Sequence, residues 1–187
     1  MVTVNEIGGF EQATNAGYVR TLYLLDIAHL EGIIDPLTFP NHLNSLTIPS
    51  NGLIIPVGCN VDKLGFQPKS CLFTETTGRD ANGIYYDANF VLEFPRDRVE
   101  VLSWVQATRY REYAAIWEDY NGTAYLTGCH EMGLEVQSSR SVASRNAVTL
   151  SITGRFGFPS YYLETINLTD LFAVADFSFE FSFDFNA

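Results

Sequence analysis

Lysine is almost missing from this chain: of 187 residues only Lys63 and Lys69 are lysine, and the other nine bases are arginine. Acids outnumber bases 22 to 11, for a formal net charge of −11. That balance works against gripping nucleic acid through its phosphates. Charged residues make up 18% of the chain, under the ~25% typical of globular domains, which points to a surface partly covered by a partner. No apolar run approaches the ~18 residues that span a bilayer, so no membrane association is expected. No base precedes Arg20, so a secretory signal is not expected, and the chain reads as made in a cytosol. Cys59, Cys71 and Cys129 are odd in number and form no C-x-x-C. They read as reduced thiols rather than a disulfide framework. The sequons at Asn121 and Asn167 carry little weight without a signal peptide.

What is present is apolar and aromatic. Apolar residues are 47% of the chain and aromatics 14%, which excludes disorder and suits a single domain with a full core. Residues 1–60 are broken by Pro36, Pro40, Pro49 and Pro56 and read as an extended arm or edge material, because proline cannot sit inside a sheet. Within them residues 20–30 are an apolar run, either strand or short helix, and 52–57 a short strand. Residues 61–164 read as a β-core. Strands are expected at 70–77 and 84–94, at 109–119 and 123–131, at 134–137 and 147–154, and at 159–164. Asn82-Gly83 and Asn121-Gly122 mark the first two hairpin turns, and both are spelled Asp-x-Asn-Gly-x-x-Tyr. Asn-Gly supplies the two positive φ angles of a type I′ turn. The polar connection 138–146, with Arg140 and Arg145, reads as an exposed or partner-facing loop. One helix is expected over 95–107, with Pro95 at its first position and Asp97 in its first turn. Residues 165–187 read as a C-terminal strand arm. Phe177, Phe179, Phe181, Phe183 and Phe185 alternate there with Ser178, Glu180, Ser182 and Asp184. That gives one aromatic and one acidic face, which must be covered to avoid aggregation.

Signs of chemistry are sparse. His29, His42 and His130 form no metal-binding spacing, and Cys129-His130-Glu131 lacks the second His of a zinc helix. The Asp-x-Asn-Gly turns lack a Glu at the twelfth position of a calcium loop. Glu118 and Asp119 are adjacent on a strand, so they face apart rather than toward one substrate as a glycosidase pair must. No nucleophile elbow, phosphate loop or dinucleotide fingerprint occurs. No catalytic residue, metal or cofactor is therefore expected. Tyr110, Tyr113, Trp117, Tyr161 and Tyr162 read as packing aromatics, with a sugar-stacking platform as the alternative. The charge is uneven: residues 1–60 carry −4, 61–160 carry −2 and 161–187 carry −5.

The hairpin running from Trp117 to Gly128, then Arg145-Asn146-Ala147-Val148-Thr149-Leu150, then Gly154 and Pro159-Ser160-Tyr161-Tyr162 carries a resemblance. Over roughly 50 of the 187 residues the chain resembles structural proteins of tailed bacteriophages, in particular those of phages and prophages of Bacteroidetes-type hosts. The resemblance implies a tail-tube-like, mainly β fold: a β-sandwich or half-barrel with one flanking helix, an extended N-terminal arm and a C-terminal edge strand. It implies a non-enzymatic tail tube, connector or ring subunit, assembled in the host cytoplasm and resident in the virion. The partners would be further copies in a hexameric or dodecameric ring and other virion proteins, with DNA passing without specific binding. Arg140, Arg145 and the five Phe of 177–185 are the expected assembly residues. Acids of the two chain ends are the expected channel wall. A β-sandwich carbohydrate-binding or receptor-binding module is the alternative, and a small hydrolase with paired acids a third reading.

Overall fold

The computed structural model describes residues 17–34, 46–56, 58–81, 83–95, 99–142 and 146–174. In chain order these form β1 (Val19–Asp26), a 3₁₀ turn, β2 (Gly32–Ile33), β3 (Thr47–Ile48), β4 (Leu53–Ile55) and β5 (Val61–Lys63). Then come β6 (Cys71–Asp80), β7 (Gly83–Pro95), α1 (Val99–Thr108), β8 (Glu112–Asp119) and β9 (Ala124–Thr127). The chain continues through β10 (Leu134–Val142), β11 (Asn146–Phe156), β12 (Tyr161–Leu163), α2 (Leu168–Leu171) and β13 (Phe172–Val174). The protein is mainly β, with one large mixed sheet and a small second one.

β8 organises the molecule. One edge pairs with β1 from Tyr113 to Asp119. The other edge is shared: β9 takes Ala115 to Glu118, and β10 takes Glu112 and Tyr113. Its two faces are both buried. Tyr113, Ala115 and Trp117 join one core cluster, and Ala114 and Ile116 the other. The first cluster lies inside a curl formed by β1, β8, β10, β11, β7 and β6, where Phe90, Leu92 and Phe94 face Val148, Leu150 and Ile152. Val101, Leu102, Trp104 and Val105 of α1 pack against it. The second cluster joins β8, β9, β12 and β3 to the small sheet of β13, β4 and β2. The molecule is thus a half-barrel on one side of β8 and a two-layer sandwich on the other.

Several expectations change. The described part of residues 1–60 is not an arm. β1 is an inner strand with Leu22, Leu24 and Leu25 fully buried, and β2 to β5 complete both sheets. Proline is kept to the flanks: Pro49 follows β3 and Pro56 follows β4. The helix begins at Val99, and Pro95 instead closes β7 opposite Ala147. Asp97 lies outside the described residues. The first hairpin turn shrinks to two residues, because β6 and β7 stay paired out to Asp80 and Gly83. Tyr120-Asn121-Gly122 form a three-residue loop instead of a type I′ turn. Gly122 has φ +84°, Asn121 is not left-handed, and Gly122 N–H donates to the Asp119 carbonyl. The strand after it stops at Thr127, where Gly128 takes φ +98°. The expected loop 138–146 is mostly strand, since β10 stays paired with β11 from Glu135 to Val142.

Candidate assembly surface

β10, β11, β7 and β6 form a four-stranded antiparallel plate, each strand paired to the next over eight or more residues. Strand alternation sends one set of side chains into the curl and the other outward. Outward across the plate run rows such as Glu135, Thr153, Asn89, Thr74 and Gln137, Ser151, Val91, Leu72. No other element covers this face among the described residues, and Leu72 remains 50% exposed. The coat is mainly hydroxyl and amide. Its outward acids are Asp80, Asp87, Glu93 and Glu135, and its outward base is Arg155. Arg155 makes a two-pronged ion pair with Asp87, at 2.7 and 3.1 Å, and lies over the Tyr85 ring.

The plate has an edge without a paired strand at each side, and the Phe73 to Glu75 part of the β6 edge lies close to the Trp117 and Ser160 layer. β6 pairs only with β7 among the described residues. β10 pairs with β8 only at Leu134 and Glu135, so its edge from Val136 to Val142 is unpaired by any described strand. Ser70 accepts from Glu93 N–H, which sets the alternation of ladder bonds on β6. The backbone groups of Phe73, Glu75, Thr77 and Arg79 consequently point to the open side. Four strands alternating in direction leave β6 and β10 antiparallel to each other.

The base of the plate is anchored to the rest of the fold. Phe73 and Phe90 pack on Trp117 at centroid distances of 4.4 and 5.6 Å. Trp117 stacks on Tyr125, which meets Tyr162. A polar chain runs alongside. Trp117 Nε1 donates to Thr127 Oγ1, Thr127 and Ser160 share a 2.7 Å bond, and Ser160 donates from both N–H and Oγ to Glu75. The Ser160 proton is committed to Glu75, so Thr127 donates to Ser160. This bond network ties β6 to the β9 and β12 layer across the seam of the half-barrel.

Beside the plate, an acidic cleft of about 590 Å³ lies between Asp87, Glu112, Glu131, Glu135 and Arg155. Glu112 and Glu135 stand directly opposite each other in the ladder, and Glu112 accepts from Gly133 N–H at 3.1 Å. No group of His, Cys, Asp and Glu able to hold a metal occurs among the described residues. Burial pushes the Cys71 thiol up to about 12. Cys59 is also raised, by burial and then by Asp26. Neither is a thiolate at neutral pH, so neither is a ready nucleophile.

The expected site residues are scattered. Arg140 sits exposed on β10 opposite Val148, on the open-edged half of the plate. Gly83 closes the β6–β7 turn, and Asn121 and Gly122 form the β8–β9 turn, where Asp119 Oδ1 accepts from the N–H groups of Asn121 and Thr123. Asn82, His42, Arg145, Phe177, Phe179, Phe181, Phe183 and Phe185 lie outside the described residues. Glu118 pairs with Arg20 at 3.7 Å and Asp119 caps its turn, so they are not arranged as an acid pair. Trp117 is 5% exposed and cannot stack on a sugar, whereas Tyr162 is 45% exposed. Sequence reasoning missed the open edges. The serines of 138–141 carry no apolar rhythm to mark a strand, and the strand expected over 70–77 carries no sign that one of its sides lies unpaired. No known family, curated protein or solved structure matches this chain.

Proposed function

We propose that this chain is a non-enzymatic virion structural protein, a tail tube, connector or ring subunit that assembles around a DNA channel. The observation that carries the reading is the plate with an edge on each side that lacks a paired strand. β6 of one copy and β10 of the next would run antiparallel, so plates can join into one continuous antiparallel sheet. The two edges are different surfaces, so the contact is heterologous, and such contacts close into rings when the rotation per copy divides the circle. The resemblance of residues 117–162 to tailed-phage structural proteins supports the same reading, including a hexameric or dodecameric ring. On this reading the hydroxyl-coated outer face with its few acids lines the channel, where it offers DNA little to hold. That replaces the chain-end acids as the wall. Of these, Asp26 pairs with Arg111, and Glu164 accepts from Ser50. No cofactor is needed. The subunit is assembled in the host cytoplasm and kept in the virion with other virion proteins as neighbours.

The test is assembly by the purified chain. Electron microscopy and mass photometry should show rings of discrete stoichiometry. Thr77→Pro removes an N–H from the open edge of β6 without touching its ladder to β7. It should leave a folded monomer by circular dichroism and abolish the rings. A chain that stays monomeric at high concentration, or rings unaffected by Thr77→Pro, would count against the proposal.

A further inference from the structure

Between α1, the ends of β5 and β7, and β11 lies a cavity of about 580 Å³. Its apolar lining comes from Leu64, Phe94, Val101, Trp104 and Leu150, of which Phe94 and Leu150 belong to the buried core of the half-barrel. The volume falls within the ~300–1,000 Å³ of small-molecule pockets. Strand alternation on β5 sorts the polar groups. Asp62 stands opposite Leu24, a residue of the half-barrel core, and Lys63 opposite Tyr23, which packs on the other cluster. Asp62 therefore turns toward α1, where its Oδ2 accepts from Trp104 Nε1 at 3.0 Å. Lys63 carries its ammonium away, to 5.5 Å over the Tyr23 ring. Glu100, in the first turn of α1, adds a second carboxylate to the lining. We propose that this cavity binds a small organic cation, an ammonium group on an apolar or aromatic body.

Three observations select that ligand. The charge has one sign: among the described residues lining the cavity, the charged groups left to face it are the carboxylates of Asp62 and Glu100. An anionic ligand would be repelled, and a neutral one would gain little from either acid. Asp62 is also held in place. Its bond to Trp104 uses Oδ2, which leaves Oδ1 to accept a charge-assisted hydrogen bond from a ligand N–H. The aromatic surface of Trp104 and Phe94 suits both parts of such a ligand, because it covers apolar carbon and attracts a cation at the ring faces. The inference does not rest on the ring reading, since Phe94 and Leu150 place the cavity on the inner side of the half-barrel, behind the outward face of the plate.

The chain has two tryptophans, Trp104 in the cavity lining and Trp117 in the core at β8. Labelling with fluorotryptophan therefore gives two fluorine NMR signals, assigned with Trp104→Phe. Three probes on one carbon skeleton are titrated: phenethylammonium, phenethyl alcohol and phenylacetate. Phenethylammonium should move the Trp104 signal saturably and leave Trp117 in place. The alcohol should bind about tenfold more weakly or worse, and phenylacetate should not bind. Asp62→Asn with Glu100→Gln removes both charges while keeping an oxygen for Trp104 Nε1. With its fold checked by circular dichroism, this variant should bind the amine no better than the alcohol. Equal affinity for amine and alcohol in the wild type overturns the proposal. So does a Trp104 signal that no probe moves at up to ~10 mM, or an amine affinity unchanged in the folded double variant.

Discussion

At the scale of single residues, burial has fixed the chemistry of the side chains that looked reactive. Cys71 is fully buried in the half-barrel core, beneath the plate. Its thiol is raised from 9.0 to about 12. The unfolded thiol therefore ionises first. Between those two values the folded state holds a proton that the unfolded state has lost, so stability falls as pH rises, by about 1.4 kcal/mol per unit. Below pH 9 the group has no such effect. Cys71→Ala should start less stable through lost packing, yet show a shallower decline between about pH 9.5 and 11. Tyr113 and Tyr125, both raised mainly by burial, add the same alkaline loss to both proteins and drop out of the comparison. Urea midpoints across that range are the measurement, and parallel curves for the two proteins would show that Cys71 is not the source. Tyr113 illustrates a different cost of burial. Its buried hydroxyl has no partner at hydrogen-bonding geometry, although Thr108 stands near enough to favour its ionised form.

At the scale of elements, the two hairpins with one spelling fold into two different turns, and the glycines show why. Gly122 has φ +84° and open space around a would-be Cβ, so Gly122→Ala pays only the backbone cost of about 1 kcal/mol. Gly128 has φ +98°, and a Cβ there would meet Ala114 Cα and the Tyr113 carbonyl at 3.3 Å. This glycine lets the chain leave β8 after β9 and return as β10. Gly128→Ala should therefore cost more than Gly122→Ala, by about 1 kcal/mol or more in chemical denaturation. Equal losses would show that the split of the sheet tolerates a side chain there. The hairpins and the α1 region were legible because turn residues and apolar rhythm are local signals. β1 was not placed in the sheet, because a strand buried on both faces has no alternation to read. The outer half of β10 reads as loop because small polar residues pair there through backbone alone. The sharing of one edge of β8 between two strands is set by contacts distant in sequence, and no local pattern announces it.

At the scale of the whole molecule, the net charge of −11 is better described by where charge is absent. The plate's outer face places four acids, Asp80, Asp87, Glu93 and Glu135, against Arg155, amid Ser, Thr, Asn and Gln. Such a face repels phosphates weakly and offers no array of cations to release counterions, so wild-type rings should not retain duplex DNA at ~0.15 M salt. Glu93→Lys with Glu135→Lys turns four outward acids and one base into two acids and three bases. Glu93 lies in the body of the plate and Glu135 lines the cleft it shares with Asp87 and Arg155, and neither substitution removes a backbone ladder bond, so the strands keep their ladders. If this face lines the channel, rings of the double variant should bind duplex DNA that threads or enters them. The affinity should fall steeply with salt, as expected when a few phosphate contacts are made. Titration of fluorescent duplex against assembled rings at two salt concentrations, with ring integrity checked by electron microscopy, measures the effect. Intact rings of the double variant that ignore DNA would place this face on the outside of the assembly, and the channel wall would have to be sought on another surface of the subunit.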